Sequence, residues 1–246
     1  MAGLQDLDEI PAEHHGINTL NEKSLHASLK RWYAQPDDRL EAPVDGFIID
    51  LVRGDLLIEI QTGSFSPLKR KLAKLAKAHP VRLVFPVAVE KWIVRLPKEP
   101  GETLSRRKSP KRGQVEQVFK ELVYIPALIS NNNFTLEVLL IREEEVRRFD
   151  SSKARNWRRK GWVTHERRLL EVVERRVFTS PGDLCALLPA ELKETFTVRE
   201  LAKAASQPDW LARKMLYCLR ALGEVDIAGK RGRSILYRRG TTPAAE

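Results

Sequence analysis

Two short apolar runs, at residues 47–52 and 56–60, stand out in the first quarter of the chain. Both runs are rich in Ile, Leu and Val, and the pair Gly54-Asp55 lies between them. A Gly-Asp pair between two such runs is typical of a tight turn. The pattern therefore predicts a β-hairpin.

Polar side chains mark the open end of this hairpin. Asp45 precedes the first run, and Glu59 and Gln61 close the second. Because side chains alternate along a strand, Glu59 and Gln61 point to the same face of the sheet. The hairpin is expected to fold Asp45 back near Glu59 and Gln61. Two converging carboxylates can hold a hard divalent cation, which is the arrangement used in metal-assisted phosphodiester cleavage.

Helices and further strands are predicted around the hairpin. Residues 18–33 carry apolar positions at helical spacing and predict an amphipathic helix. A second helix is predicted to begin at Ser66-Pro67, because Pro is favoured early in a helix. A buried strand over residues 81–89 and another strand over residues 91–96 follow, which indicates an α/β fold.

The hairpin and its flanking helices resemble the PD-(D/E)xK nuclease superfamily, which includes restriction enzymes and Holliday-junction resolvases. The resemblance is carried by Pro43-x-Asp45 and Glu59-x-Gln61. It implies a restriction-endonuclease-like mixed sheet flanked by helices, with Mg²⁺ or Mn²⁺ held by Asp45 and Glu59. Gln61 stands where Lys is usual and would orient the attacking water. The alternative interpretation is a solvated strand end without chemistry.

Two further residues enter through the resemblance. In the resolvase-like branch a Glu on the first helix completes the acidic cluster, and Glu22 fits that position; alternatively, Glu22 compensates the helix dipole. His26, one turn later, is either a packing residue or a phosphate or water contact. Because Gln61 cannot supply positive charge, Lys69 on the second helix is the candidate to approach the scissile phosphate. The alternative is that the lysines of that helix form a solvated face.

The C-terminal part predicts a different architecture. Thr164 can cap a helix over residues 164–177, and Thr197 begins a capping box and a short helix. A longer helix over residues 210–222 and two strands within residues 225–238 follow. This order resembles a winged helix-turn-helix domain, which implies DNA in contact with the second helix and the wing, although such domains also bind proteins. The implied DNA contacts are Arg213, Lys214, Arg220, Lys230, Arg231 and Arg233.

Charge supports a polyanionic partner. The net charge is +10 and the isoelectric point about 9.7, which favours nucleic acid. The segment 105–113 is predicted to be a basic loop, either wrapping a phosphate backbone or solvated; its candidate DNA contacts are Arg106, Arg107 and Lys108. Residues 142–148 mix Glu and Arg and predict an exposed helix.

Several classes of protein are disfavoured. Cys185 and Cys218 give neither a zinc-binding spacing nor a disulfide framework. There is no apolar run long enough to cross a membrane and no signal-peptide pattern at residues 1–20, so a cytoplasmic protein is expected.

The sequence thus predicts a nuclease-like domain over residues 1–150, a basic linker over 151–163 and a winged helix over 164–246. The predicted function is metal-dependent cleavage of duplex or branched DNA. A non-catalytic DNA-binding regulator or scaffold with a nuclease fold is the rival, and RNA as the substrate and a homodimer both remain open.

Overall fold

The computed structural model describes residues 24–99, 101–153 and 160–240. The helices are α1 (Ser24–Tyr33), α2 (Lys69–Leu75), α3 (Phe119–Leu122), α4 (Pro181–Cys185), α5 (Val198–Ala204) and α6 (Asp209–Ala221). The strands are β1 (Arg39–Val44), β2 (Phe47–Arg53), β3 (Leu56–Ile60), β4 (Val81–Arg95), β5 (Ser105–Lys108), β6 (Phe134–Phe149), β7 (Trp162–Phe178), β8 (Thr195–Phe196), β9 (Val225–Arg231) and β10 (Ser234–Arg239).

A seven-stranded mixed sheet flanked by helices forms the larger part of the molecule, in the order β1-β2-β3-β4-β6-β7, with β5 pairing to β4. The pairs β3–β4 and β4–β6 are parallel, and the other neighbours are antiparallel. The predicted α/β class and the parallel pair joined through α2 are therefore confirmed. The two strands predicted within residues 81–96 form one continuous strand, β4.

Two tight turns order the first three strands. The predicted turn at Gly54-Asp55 joins β2 to β3, and Gly54 adopts a φ of +55°. A second two-residue turn, Asp45-Gly46, joins β1 to β2 with φ values of +50° and +82°. Positive φ at both central residues is the signature of a type I′ hairpin, for which Asp-Gly is a preferred pair. Asp45 is therefore a turn residue.

The predicted helices over residues 142–148 and 164–177 are wrong, because both segments are strands. The first continues β6, and the second is most of β7, which pairs with β6 along its length. The mixture of Glu and Arg predicted an exposed helix over residues 142–148. In the structure, charged side chains of these strands form ion pairs with each other, such as Arg167–Glu143 and Arg175–Glu137. The large sheet therefore extends to residue 178, beyond the boundary predicted at 164. Residues 154–159 of the predicted linker lie outside the described part of the chain.

The sheet is covered on both faces. On one face, Leu25, Leu29 and Tyr33 of α1 pack against Ile58 and its neighbours. The other face packs against α2 and α3 and continues without a break into residues 179–240, here termed the C-terminal unit. Burial on both faces explains why the central strands are nearly continuous apolar runs.

The C-terminal unit consists of α4, α5 and α6 with a small sheet in the order β8-β10-β9. The capping box predicted at Thr197 is confirmed, because its hydroxyl accepts from the Glu200 amide while the Glu200 carboxylate accepts from the Thr197 amide. Gly223 follows α6 with a φ of +79°.

Over residues 24–99, 101–153 and 160–240, no helix combines the length and apolar character needed to cross a bilayer.

Candidate functional site

Two acidic side chains meet where β2 and β3 stop pairing. The β2–β3 ladder runs from Arg53/Leu56 to Leu51/Ile58. The next residues along the two strands are Asp50 and Glu59. The charge of Asp50 contributes to raising the pKa of Glu59, and a backbone hydrogen bond from Asp50 acts in the opposite direction. The two carboxylates are therefore neighbours at the point where the strands part.

Asp50 is held in its ionised form by two donors. Its Oδ2 accepts from the backbone amide of Ile60 at 2.8 Å and lies 3.1 Å from Nε2 of His26 on α1. Burial by itself would raise the pKa of Asp50, but the hydrogen bonds from His26 and Ile60 outweigh it and lower the pKa. His26 is thus a partner of a site acid rather than only a packing residue.

In contrast to Asp50, Glu59 has a raised pKa. It is 5% exposed, and burial followed by the charge of Asp50 raises its pKa despite the contact with Lys71. Lys71, on α2, donates to Glu59 Oε1 and also to the carbonyl of Ile48. A carboxylate with a raised pKa beside a second acid is a candidate for functional chemistry.

The structure does not bring Asp45 beside Glu59. Asp45 is exposed at the β1–β2 turn, where its Oδ2 lies 2.9 Å from His79 Nε2 and its carbonyl accepts from Lys74 at 3.0 Å. Five residues of strand separate it from Asp50, or about 16 Å along β2. The reason is the register of the hairpin: the pairing of Leu51 with Ile58 puts Asp50 next to Glu59, and Asp45 lies farther along in the β1–β2 turn.

The other residues predicted for this site have mixed outcomes. Gln61 directly follows β3, close to Glu59, and its amide donates to the Ser64 carbonyl at 2.8 Å. Lys69 is exposed at the start of α2. Lys71, two residues later on the same helix, is the lysine that contacts Glu59. Glu22 lies outside the described residues.

The basic segment predicted as a loop begins with a strand, β5, whose side chains alternate between two environments. Arg106 and Lys108 lie over the Trp92 ring and pair with Glu144 and Glu90, respectively. Arg107 points to the other face, into a cleft between the strands. The three cations predicted to act together are thus divided between two surfaces.

Arg213 and Arg220 lie on the exposed side of α6 together with Trp210 and Tyr217. Lys214 is turned inward and donates to the Lys120 carbonyl at 2.8 Å. It therefore connects α6 to α3 rather than belonging to the exposed stripe.

The hairpin predicted as a wing is present, but its cations are arranged differently. Lys230 and Arg231 belong to β9, and only Arg233 lies in the two-residue turn with Gly232. Arg231 pairs with Glu200 at 2.7 Å. The hydrogen bond from Arg231, followed by those from Thr197, lowers the pKa of Glu200 to about 2. Lys230 and Arg233 are exposed.

In the part of the chain that the structure describes, no group of three or more His, Cys, Asp and Glu side chains is arranged to hold a metal ion. Asp50 and Glu59 are a pair of oxygen donors. Mg²⁺ commonly uses one or two carboxylates and completes its coordination with water and substrate phosphates. Any Mg²⁺ held by this pair would therefore need water and substrate phosphates to complete its coordination, because the pair alone is not an all-protein cage.

Comparison with known proteins adds a family but no activity. A family model described as "Domain of unknown function (DUF8091)" matches residues 23–179, the segment from α1 to the end of β7. An "Uncharacterized protein" of Treponema pallidum (strain Nichols) is 33% identical over 224 residues, which cover 91% of this chain and 87% of the relative. The family match begins at residue 23, so at most 22 of the residues aligned with the relative can precede it. The alignment is longer than the family match by more than that number, and it therefore extends into the C-terminal unit. No solved structure matches the chain significantly.

Proposed function

The chain belongs to the DUF8091 family, and we propose that it is a metal-dependent nuclease that hydrolyses phosphodiester bonds in DNA. The observation that carries the proposal is the pair Asp50 and Glu59 at the parting of β2 and β3, with Lys71 reaching it from α2. An acid on one strand of a hairpin, a second acid on the next strand and a nearby lysine are the parts of a PD-(D/E)xK site. We therefore assign Asp50, rather than Asp45, as the first acid.

In this proposal, Asp50 and Glu59 are the residues that would hold a divalent cation. When bound, such a cation polarises the scissile phosphate and lowers the pKa of water. The hydrogen bonds from His26 and Ile60 keep Asp50 ionised and oriented. Glu59, whose pKa is raised by burial, gains most from a positive partner.

Lys71 supplies the positive charge that Gln61 lacks. The Lys71 amine donates to Glu59, and it would be free to approach the phosphate if a divalent cation took its place at that carboxylate. Gln61, on the same side of β3 as Glu59, orients water or phosphate through its amide. The sequence departs from the usual motif in two respects: Ile48 and Ile49, rather than a proline, precede Asp50, and α2 rather than β3 provides the lysine.

The C-terminal unit is proposed to position the enzyme on DNA as a winged helix. Two helices, an exposed Arg- and aromatic-bearing stripe on α6 and a basic β9–β10 hairpin support this role. In that arrangement α6 enters the major groove and the hairpin contacts the backbone. Arg213, Arg220, Lys230 and Arg233 are the exposed cations that would make the contacts.

A non-catalytic DNA-binding protein with the same fold is the second candidate. The observation in its favour is that both acids already have partners, Asp50 with His26 and Glu59 with Lys71. In that case the two ion pairs stabilise the open end of the hairpin, and the chain binds DNA without cutting it.

A cleavage assay separates the two candidates. Duplex, branched and single-stranded DNA are incubated with the full chain and Mg²⁺ or Mn²⁺, and again with EDTA. The nuclease proposal predicts cleavage of at least one substrate only in the presence of a divalent cation. Binding without cleavage under all these conditions would favour the second candidate.

The same assay tests the proposed role of Lys71 through the variant Lys71→Ala. Removing a charge that stabilises the transition state is expected to lower cleavage by about a hundredfold or more. Lys69→Ala is the matched control, since Lys69 lies on the same helix and is exposed. Equal rates for the two variants would remove Lys71 from the proposed mechanism.

A further inference from the structure

A basic cleft adjoins the carboxylate pair. It has a volume of about 730 Å³ and is bordered by β4, β5, β6 and β7, with Thr62 at one end. Seven Lys and Arg side chains line it against two acids, Glu143 and Glu145. Thr62 follows Gln61 directly, and Arg167 Nη1 donates to the Thr62 carbonyl at 3.5 Å. The cleft thus begins where β3 and its candidate site residues end.

The floor of the basic cleft is a fixed ionic network. Glu143 pairs with Lys91 at 2.7 Å and with Arg167 at 2.5 Å. Glu145 pairs with Lys91 at 3.2 Å and with Arg147 at 2.8 Å. Two carboxylates bound to three cations leave the floor with one net positive charge, so these acids hold the cations in place without repelling an anion.

The rim is built by the segment that follows β5. The Ser109 amide donates to the Lys91 carbonyl at 2.7 Å, and the Gly113 amide donates to the Ala88 carbonyl at 2.9 Å. A Cβ on Gly113 would lie 2.4 Å from the Ala88 oxygen, so this close approach requires glycine. Both ends of the segment are therefore fixed to β4.

Three rim cations are available to a ligand. Arg107 enters the cleft from β5, and Lys111 and Arg112 follow on the fixed segment. The Arg112 side chain is 72% exposed, and its contact with Glu90 is a long one, at 3.9 Å. Among the described residues, Arg107 and Lys111 form no ion pair. These side chains raise the positive charge of the rim above that of the floor.

Part of the lining of the basic cleft, here termed the apolar wall, is formed by Phe85, Pro86 and Ile93. Phe85 is its aromatic member and is half-buried, whereas Pro86 and Ile93 are buried. Cationic side chains beside aromatic and apolar surfaces are typical of channels for single-stranded nucleic acid, in which phosphates meet the cations and bases stack. The volume lies within the range of about 300–1,000 Å³ for small-ligand pockets, which suits a few nucleotides of one strand rather than a duplex.

We infer that the basic cleft binds single-stranded nucleic acid next to the carboxylate pair, through phosphates on Arg107, Lys111 and Arg112 and bases on the apolar wall. The inference rests on the proposed function for the identity of the strand, which is the one that enters or leaves the cutting site. A substrate with a single-stranded end or branch is therefore favoured over uninterrupted duplex.

The test measures binding separately from cleavage. Fluorescence anisotropy of a labelled oligothymidylate of about ten nucleotides is recorded with the full chain in EDTA, over a range of salt concentrations. In the variant Arg107→Gln/Lys111→Gln/Arg112→Gln, affinity is expected to fall about tenfold or more. The salt slope should decrease by about 2 units, since each phosphate contact on a single strand contributes about 0.7.

The matched control is Arg106→Gln/Lys108→Gln, which removes cations from the same strand but on its Trp92 side. It is expected to bind the oligonucleotide within about twofold of the parent. Because all five side chains lie on the surface or rim, thermal melting should show both variants folded. Arg112→Glu provides a single-residue test should the triple variant melt early.

Each outcome decides the inference. Equal weakening in the two variants, no binding by the parent, or weakening on duplex DNA alone would overturn it. Displacement of the strand by inorganic pyrophosphate as readily as by unlabelled oligonucleotide, at equal phosphate concentration, would assign the cleft to a small anion instead. A selective loss in the cleft variant supports strand binding even if no cleavage is found, in which case only the proposed nuclease activity fails.

Discussion

Glu59 lies almost fully buried with its pKa raised by burial, while its neighbour Asp50 has a lowered pKa. An acid whose pKa is raised on folding is less stable as an anion in the folded chain than in the unfolded chain. Its ionised form therefore reduces folding stability at neutral pH, and Lys71 offsets only part of that cost. Residues kept at such positions are candidates for activity rather than for structure.

The double variant Glu59→Gln/Lys71→Met tests this view of the pair. Replacing a buried ion pair by neutral groups of similar volume is often neutral or stabilising by about 1–4 kcal/mol. We expect the free energy of unfolding, measured with urea, to be unchanged or higher while divalent-dependent cleavage is lost. A loss of more than about 2 kcal/mol would instead mark the pair as structural.

Glu145 is predicted to control part of the acid stability. Burial alone would raise its pKa, but hydrogen bonds from Arg147 and Thr164 and the charge of Lys91 lower it to about 2. Its contribution is therefore complete above the unfolded pKa of about 4.3 and is lost as the pH falls toward 2. Glu145→Gln should flatten the decline in unfolding free energy across that window, by on the order of 2 kcal/mol.

Glu144→Gln is the control for this effect, because Glu144 faces the opposite side of β6 and pairs with Arg106. The unfolding free energy is measured with urea at several pH values between about 5 and 2. A Glu145 variant that retains the full acid dependence of the parent would contradict the assignment.

At the scale of elements, the sequence predicts the hairpin, both flanking helices of the large sheet and most of the C-terminal unit. It also contained the correct register, since counting back from the Gly54-Asp55 turn pairs Asp50 with Glu59. The pattern favours Asp45 only when the pair Asp45-Gly46 is not counted as a turn of its own. Lys71 could not be identified from the pattern, because only the packing of α2 decides which of its lysines reaches β3.

The long strands β6 and β7 show why local patterns fail elsewhere. In β7, Leu169, Leu170, Val173 and Val177 recur at helical spacing, but their partners are residues of β6 far away in sequence. Ion pairs between the strands, such as Arg142–Glu171, depend on that pairing. Helix and strand periods are ambiguous in such segments until the partner strand is known.

The β9–β10 hairpin gives a prediction at this scale. Lys230 and Arg233 are exposed, whereas Arg231 is paired with Glu200. Lys230→Gln/Arg233→Gln should weaken binding of duplex DNA and reduce the salt slope by about 1.8, since each duplex phosphate contact contributes about 0.9. Arg231→Gln should change the slope less. Equal slopes for the double variant and the parent would favour a protein-binding role for the hairpin.

At the scale of the whole molecule, the large sheet and the C-terminal unit share one hydrophobic core. Val118 and Phe119 beside the sheet belong to the same buried cluster as Leu211, Met215 and other residues of α6. The hydrogen bond from Lys214 to the Lys120 carbonyl crosses the same contact. The segment that matches the family, which ends at residue 179, therefore packs directly on the C-terminal unit.

The carboxylate pair, the basic cleft and the C-terminal unit are connected through the large sheet. The carboxylate pair and the basic cleft share the end of β3, and the C-terminal unit packs on the sheet through α3 and α6. Under the proposed function, the C-terminal unit that would bind DNA is held in a fixed position relative to the carboxylate pair. In the proposed function, Asp50, and not the more conspicuous Asp45, is the first acid of that site.

Asp50→Asn and Asp45→Asn, compared in one cleavage assay with Mg²⁺ or Mn²⁺, test this claim most directly. Both substitutions remove one carboxylate from β2 or its turn and keep the side-chain volume. We predict that Asp50→Asn abolishes divalent-dependent cleavage while DNA affinity in EDTA is retained, and that Asp45→Asn cuts like the parent. Loss of cleavage in Asp45→Asn with full activity in Asp50→Asn would contradict the account.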